Sequence, residues 1–85
     1  MTTQEILEQI HSGSEVYIVD FWAPWCRPCR QLAPELETLK GATLLKVNVD
    51  DEPELAIQFN IRSIPTILVY WQGNEVSRVI GVAVS

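Results

Sequence analysis

Eighty-five residues, 47% of them apolar, suffice for one hydrophobic core and are too few for two. Eleven acids against six bases leave a net charge of −5, which disfavours nucleic acid and anionic membrane as main partners. No run approaches the ~18 apolar residues of a membrane span, and the opening MTTQEILEQIHSGSE lacks the basic flank and apolar core of a secretion signal, so a cytoplasmic chain is expected.

Thr2 and Glu5 have capping-box spacing, and Ile6, Leu7 and Ile10 follow at helical intervals; a short first helix should end near Gly13. The segment VYIVDFW, Val16 to Trp22, reads as a buried strand. Val16, Ile18, Asp20 and Trp22 share one face, and Tyr17, Val19 and Phe21 the other. From Cys26 to Lys40 the period changes: Leu32, Leu36 and Leu39 fall on one stripe, and Gly41 ends an amphipathic helix. Pro34 inside it removes one backbone bond and should kink it.

ATLLKVNVD is a second strand. DEPELAIQFN is a third helix, with Asp51 as its cap, Pro53 and Glu54 in its first turn, and Asn60 as a left-handed stop. TILVYW and EVSRVI around QGN make a hairpin. The order αβαβαββ predicts one α/β domain over residues 1–85, with a four-stranded mixed sheet and three helices. Successive βα units give parallel strands, and the hairpin adds antiparallel edge strands.

The only two cysteines stand as Cys26-Arg27-Pro28-Cys29 at the start of the second helix. Cys26, at or just before the first turn, meets unpaired N–H groups and the helix dipole, which stabilise a thiolate; Arg27 and Arg30 act in the same direction. Cys26 is therefore the expected nucleophile on an exposed rim, and the more covered Cys29 attacks second. A structural zinc site competes poorly, because two cysteines and a distant His11 fall short of four ligands; no metal and no cofactor is expected. A static disulfide across two intervening residues gains little chain entropy, and an inert buried pair would need an apolar surrounding that Trp25, Arg27 and Arg30 do not provide. Redox chemistry fits the pair best.

Asp20 interrupts a buried strand, so its carboxyl should titrate high and serve as proton acceptor for Cys29, directly or through one water. Lys46 interrupts the neighbouring strand and is its expected partner. The competing reading is a structural ion pair without a catalytic part.

VDFWAPWCRPCRQLAP, VNVDDEPELAIQFNIRSIPTILVYWQG and the glycine of RVIGVAV together resemble the thioredoxin family over most of the chain. The resemblance implies a thioredoxin-like fold and a reductant of protein disulfides, recharged by a flavin-containing thioredoxin reductase. It assigns the attacking cysteine to Cys26, the resolving one to Cys29, the buried acid to Asp20, and the lysine beside that acid to Lys46. Trp25, Arg27, Pro28, the Ile64-Pro65 segment with a cis bond, and Gly81 become the surface that a substrate meets.

Two departures stand out. Arg27 replaces the family's usual glycine, which should make the pair somewhat more oxidising. The sequence given also starts at the family's first helix and stops before its final one, a minimal form expected to leave apolar area open on one sheet face, with a weak homodimer as one way to cover it. Alternative readings are a binding or assembly subunit with incidental redox activity, and a glutaredoxin-like, glutathione-linked reductant.

Overall fold

The computed structural model describes residues 3–81. In chain order the elements are α1 (Thr3–Ser12), β1 (Val16–Trp22), α2 (Arg27–Glu37), β2 (Thr43–Asn48), α3 (Pro53–Gln58), β3 (Thr66–Trp71) and β4 (Asn74–Ile80). They form one four-stranded sheet in the order β2-β1-β3-β4. β1 and β2 run parallel with Asp20 opposite Lys46, while β3 runs antiparallel to both β1 and β4. This is the α/β architecture expected, with one correction: β3 lies inside the sheet against β1, so only β4 of the hairpin is an edge. The turn is Gln72-Gly73, with φ of 53° and 80°, and Asn74 already belongs to β4. Two successive positive φ values give the two-residue turn whose twist matches that of the strands.

The alternation along β1 divides the interior. Tyr17, Val19 and Phe21 enter the larger core, with Ile6 and Ile10 of α1, Leu55 of α3, and Leu68 and Tyr70 of β3. Ile18 enters a smaller one with Leu36 of α2 and Ile67 of β3. A fully buried leucine or phenylalanine contributes about 1.5–3 kcal/mol through burial, so the α1/α3 side carries most of the apolar stabilisation. Gly13 follows α1 where no side chain fits: a Cβ there would lie 2.5 Å from the Tyr17 ring and 2.9 Å from the Gln9 carbonyl oxygen.

Both later helices are shorter than the periodicity suggests. α2 ends at Glu37 rather than Lys40, because Thr38 closes it: its N–H reaches the Glu35 and Leu36 carbonyls, and its hydroxyl donates to Glu35 O at 2.8 Å. Leu39 is consequently exposed instead of packed. α3 begins at Pro53, and Asp51 does not cap it. Asn48 folds the preceding segment into its own turn, accepting Asp50 N–H on Oδ1 and the N–H groups of Asp51 and Glu52 on its carbonyl. Glu52 takes the cap position, with no capping hydrogen bond from its side chain. The stop at Asn60 is as expected, with φ of 58°. Ile61 N–H reaches Ala56 O at 2.8 Å and Asn60 N–H reaches Ile57 O at 3.0 Å, the paired bonds of a left-handed helix ending. That ending turns the chain toward Ile64. The Thr2–Glu5 box expected at the start of α1 involves Thr2, which lies outside the described residues.

Candidate functional site

Cys26 is the N-cap of α2, extended at φ −87° and ψ 102°, and its Sγ accepts the Cys29 N–H at 3.3 Å. Pro28 occupies the first turn, where a missing N–H costs no helical bond. The two cysteines form a disulfide with Cα atoms 5.3 Å apart. They pack with Ala23 under Trp22, Val49 and Ile64. The expected contrast in exposure is absent in this oxidised state: Cys26 is 5% exposed and Cys29 2%. The linked sulfur of Cys26 is turned back over the helix start, and the exposed rim is made by Trp25, Arg27, Pro28 and Arg30. The helix start supplies a donor and a dipole to whatever charge Cys26 carries after reduction.

Trp25 is 68% exposed, and its indole N–H donates to Asp50 Oδ2 at 2.9 Å. Sequence reasoning misses Asp50 because the acidic run DDEPE reads as a helix start. The position of Asp50 at the end of a strand parallel to β1 is the available signal, since both strand ends open on the same edge.

Asp20 is 1% exposed on the β1 face that α2 covers. Burial pushes its carboxyl up to about 6, with the Lys46 charge opposing the shift. Its Oδ1 is buried without a hydrogen-bond partner among the described residues. Lys46 lies opposite in register but does not form the expected buried pair. Its ammonium passes 5.2 Å from the centroid of the Trp22 ring and meets Glu37 Oε2 at 3.3 Å. A long stem allows the charge to reach the surface while the backbone stays in the sheet. Asp20 therefore keeps its proton to higher pH than a closely paired acid would.

The Ile64–Pro65 peptide bond is cis, Pro65 is fully buried, and Ile64 packs on the cysteines. Gly81, with φ of 79°, donates its N–H to Pro65 O at 2.8 Å, and a Cβ built on it would meet no atom within 4 Å. Its backbone conformation favours glycine, and none of the described residues fills the space beside it. Next to Ile64 a groove of about 440 Å³ runs between Trp25, Val49, Ala56, Ile61 and Arg62. The structure thus brings Trp25, Cys26, Cys29 and Ile64 together, ties Gly81 to Pro65, places Asp20 behind the helix and carries the Lys46 charge away to Glu37. Among the described residues no group of three His, Cys, Asp or Glu side chains could hold a metal ion, and no helix is long and apolar enough to cross a membrane.

A family model described as Thioredoxin matches residues 1–84. The chain is 44% identical over 86 residues to a thioredoxin of Staphylococcus haemolyticus, covering 95% of this chain and 81% of that protein. It is 46% identical over 79 residues to a thioredoxin of Mycoplasma genitalium, covering 88% and 78%. Among solved structures, a point mutant of a thioredoxin from Halobacterium salinarum NRC-1 superposes with a TM-score of 0.86 at 33% identity, over 95% of this chain and 74% of that one. A Plasmodium falciparum thioredoxin superposes with a TM-score of 0.84 at 39% identity, over 95% and 83%.

Proposed function

This chain belongs to the thioredoxin family and is a dithiol–disulfide oxidoreductase; on that premise we propose how its own residues divide the work. The Cys26 thiolate attacks one sulfur of a protein disulfide, forming a Cys26–substrate mixed disulfide and expelling the first substrate thiolate, which takes a proton. Cys29, losing its proton to Asp20, then attacks Cys26 Sγ. The Cys26–Cys29 disulfide forms, and the second substrate thiolate leaves and takes up a proton, so that Asp20 and solvent return to their starting state. Two electrons have passed from the dithiol to the substrate, and both substrate sulfurs end as thiols. The observation that carries this order is the position of Cys26 as N-cap of α2, with the Cys29 N–H on its sulfur.

Trp25, Arg27, Pro28, Ile64, Pro65 and Gly81 form the surface against which the substrate segment lies, and the Lys46 charge partly offsets the rise that burial gives the Asp20 pKa. The family's protein substrates and thioredoxin reductase partner extend, in this reading, to a flavin-containing reductase that restores the dithiol. One domain over residues 1–85 working in the cytoplasm completes it. A weak homodimer is part of the same reading, supported by half-exposed Trp71 and Val79, which lie on the sheet face of the smaller core.

The test is reduction of insulin disulfides with dithiothreitol as donor, together with the Cys29→Ser variant. Turnover in the parent and a trapped mixed disulfide on Cys26 in the variant are expected. No turnover would leave the scaffold role, and turnover only with glutathione would leave the glutaredoxin-like one.

A further inference from the structure

The chain is acidic overall, yet the disulfide is bordered by exposed Arg27 and Arg30 at the start of α2 and exposed Arg62 on the loop before Pro65. None of these three forms an ion pair among the described residues, whereas Lys46 and Arg78 are held by Glu37 and Glu75. Arg62 has a further distinction. It lines both the apolar groove beside Trp25 and Ile64 and a polar hollow of about 500 Å³ shared with Ser63, Thr66 and Arg78. Its hydrogen bond goes to a neutral acceptor, Nε to Asn60 Oδ1 at 3.4 Å, which leaves its charge uncompensated. Asp50 accepts the Trp25 indole N–H, likewise a neutral partner, so one negative charge also stands beside Trp25.

We propose that this chain selects disulfides flanked by acidic residues, with Arg62 as the specificity-determining contact. The inference rests on the reductase reading above and names its substrate class. A segment whose sulfur lies at Cys26 passes Ile64, which packs on the cysteines; its neighbouring residues then reach the groove, an apolar side chain between Trp25 and Ile61 and a carboxylate at Arg62. Arg27 and Arg30 attract the same sign of charge from the other side. A guanidinium favours a carboxylate because its planar donors match the two oxygens, and a lysine-flanked segment would bring like charges together. The net charge of −5 makes the opposite prediction: if the overall field governed, acidic substrates would be repelled and basic ones drawn in. The two ideas therefore differ in sign.

The experiment uses three disulfide-linked peptides identical except for Glu, Gln or Lys flanks, each reduced by the dithiol form of the full chain across a range of KCl concentrations. The Glu peptide should react about three- to tenfold faster than the Lys peptide at low ionic strength. The gap should shrink as salt shortens the screening length below about 10 Å. Arg62→Glu should abolish or invert the Glu/Lys ratio, and Arg62→Lys should retain its sign, with circular dichroism confirming that both variants fold. Equal rates for the three peptides, or the Lys peptide reacting fastest, would overturn the inference and leave the reductase reading standing. A ratio unmoved by Arg62→Glu would overturn the assignment to Arg62. Failure to reduce any peptide or insulin would overturn the reductase reading, and this inference with it.

Discussion

Replacing Asp20 with asparagine removes a charge from a position that is 1% exposed while keeping the shape of the side chain. Burial raises the carboxyl from 3.8 to about 6, so the folded protein retains a proton that the unfolded chain releases. Well below 3.8 both states are protonated and the group makes no difference; as pH rises through 3.8 toward 6 the unfolded state ionises first and stability falls. The full loss, complete above about pH 7, is about 3 kcal/mol at about 1.36 kcal/mol per pKa unit. That is a large part of the roughly 5–15 kcal/mol net stability of a domain.

Asparagine leaves a polar atom where Oδ1 has no partner among the described residues, so the gain comes from the lost charge alone. The variant should exceed the parent by up to about 3 kcal/mol at about pH 8, by about 0.5 kcal/mol at about pH 4 and by close to nothing at about pH 3. Urea unfolding of the oxidised forms at several pH values measures this. A difference independent of pH would refute the burial argument. In the same variant, stopped-flow kinetics should show the second attack, by Cys29, slowed more than the first, by Cys26. Altered unfolding with unchanged turnover would instead support the purely structural reading of Asp20.

In the dithiol form Cys26 should be alkylated by iodoacetamide near neutral pH about tenfold or more faster than Cys29, because only Cys26 stands at the helix start; mass spectrometry of the labelled peptides checks the order, and equal rates would overturn it. Arg27→Gly should move the pair toward a more reducing potential by about 30 mV or less, the equivalent of a tenfold change in the exchange equilibrium. A glutathione redox titration reads this shift, and an unchanged potential would show that solvent cancels the guanidinium's effect. Leu68→Ala, in the larger core at a fully buried position, should cost about 2–5 kcal/mol in urea unfolding; a loss below about 1 kcal/mol would mean that the core collapses around the gap.

The strands are the most legible part of the sequence, for a physical reason. β1 and β3 are runs of β-branched and aromatic residues covered on both faces, so their composition alone marks where they begin and end. The helix ends are decided by competition between side chain and backbone. The Thr38 hydroxyl on Glu35 O closes α2 early, and Asn48 draws Asp50, Asp51 and Glu52 into its turn before α3 can use Asp51. Both residue types are known to make such bonds, but periodicity says nothing of which carbonyl or N–H they will find. The place of β3 beside β1 is similarly outside the pattern: a hairpin fixes the pairing of its own strands, not which of them docks on the sheet.

The site divides along the same line. Cys26, Pro28 and Cys29 are readable because their chemistry is local: three residues and one helix start determine which sulfur meets the N–H groups. Asp20 is readable because a charge in an apolar strand is anomalous wherever the strand packs, and its raised pKa follows from burial. Lys46 shows the limit of that logic, since strand register puts it opposite Asp20 while its stem carries the charge to Glu37. Asp50 and Arg62 lie beyond the limit altogether. Asp50 lies 25 positions from Trp25, to which it is bonded, and Arg62 gains its place only because the left-handed ending of α3 turns the chain alongside Trp25. The chemistry of exchange is thus written in one short motif, while its choice among disulfides depends on segments that only the fold brings to the same edge. Substitutions at Arg62 should accordingly change which disulfides react fastest, and those at Cys29 whether an exchange is completed.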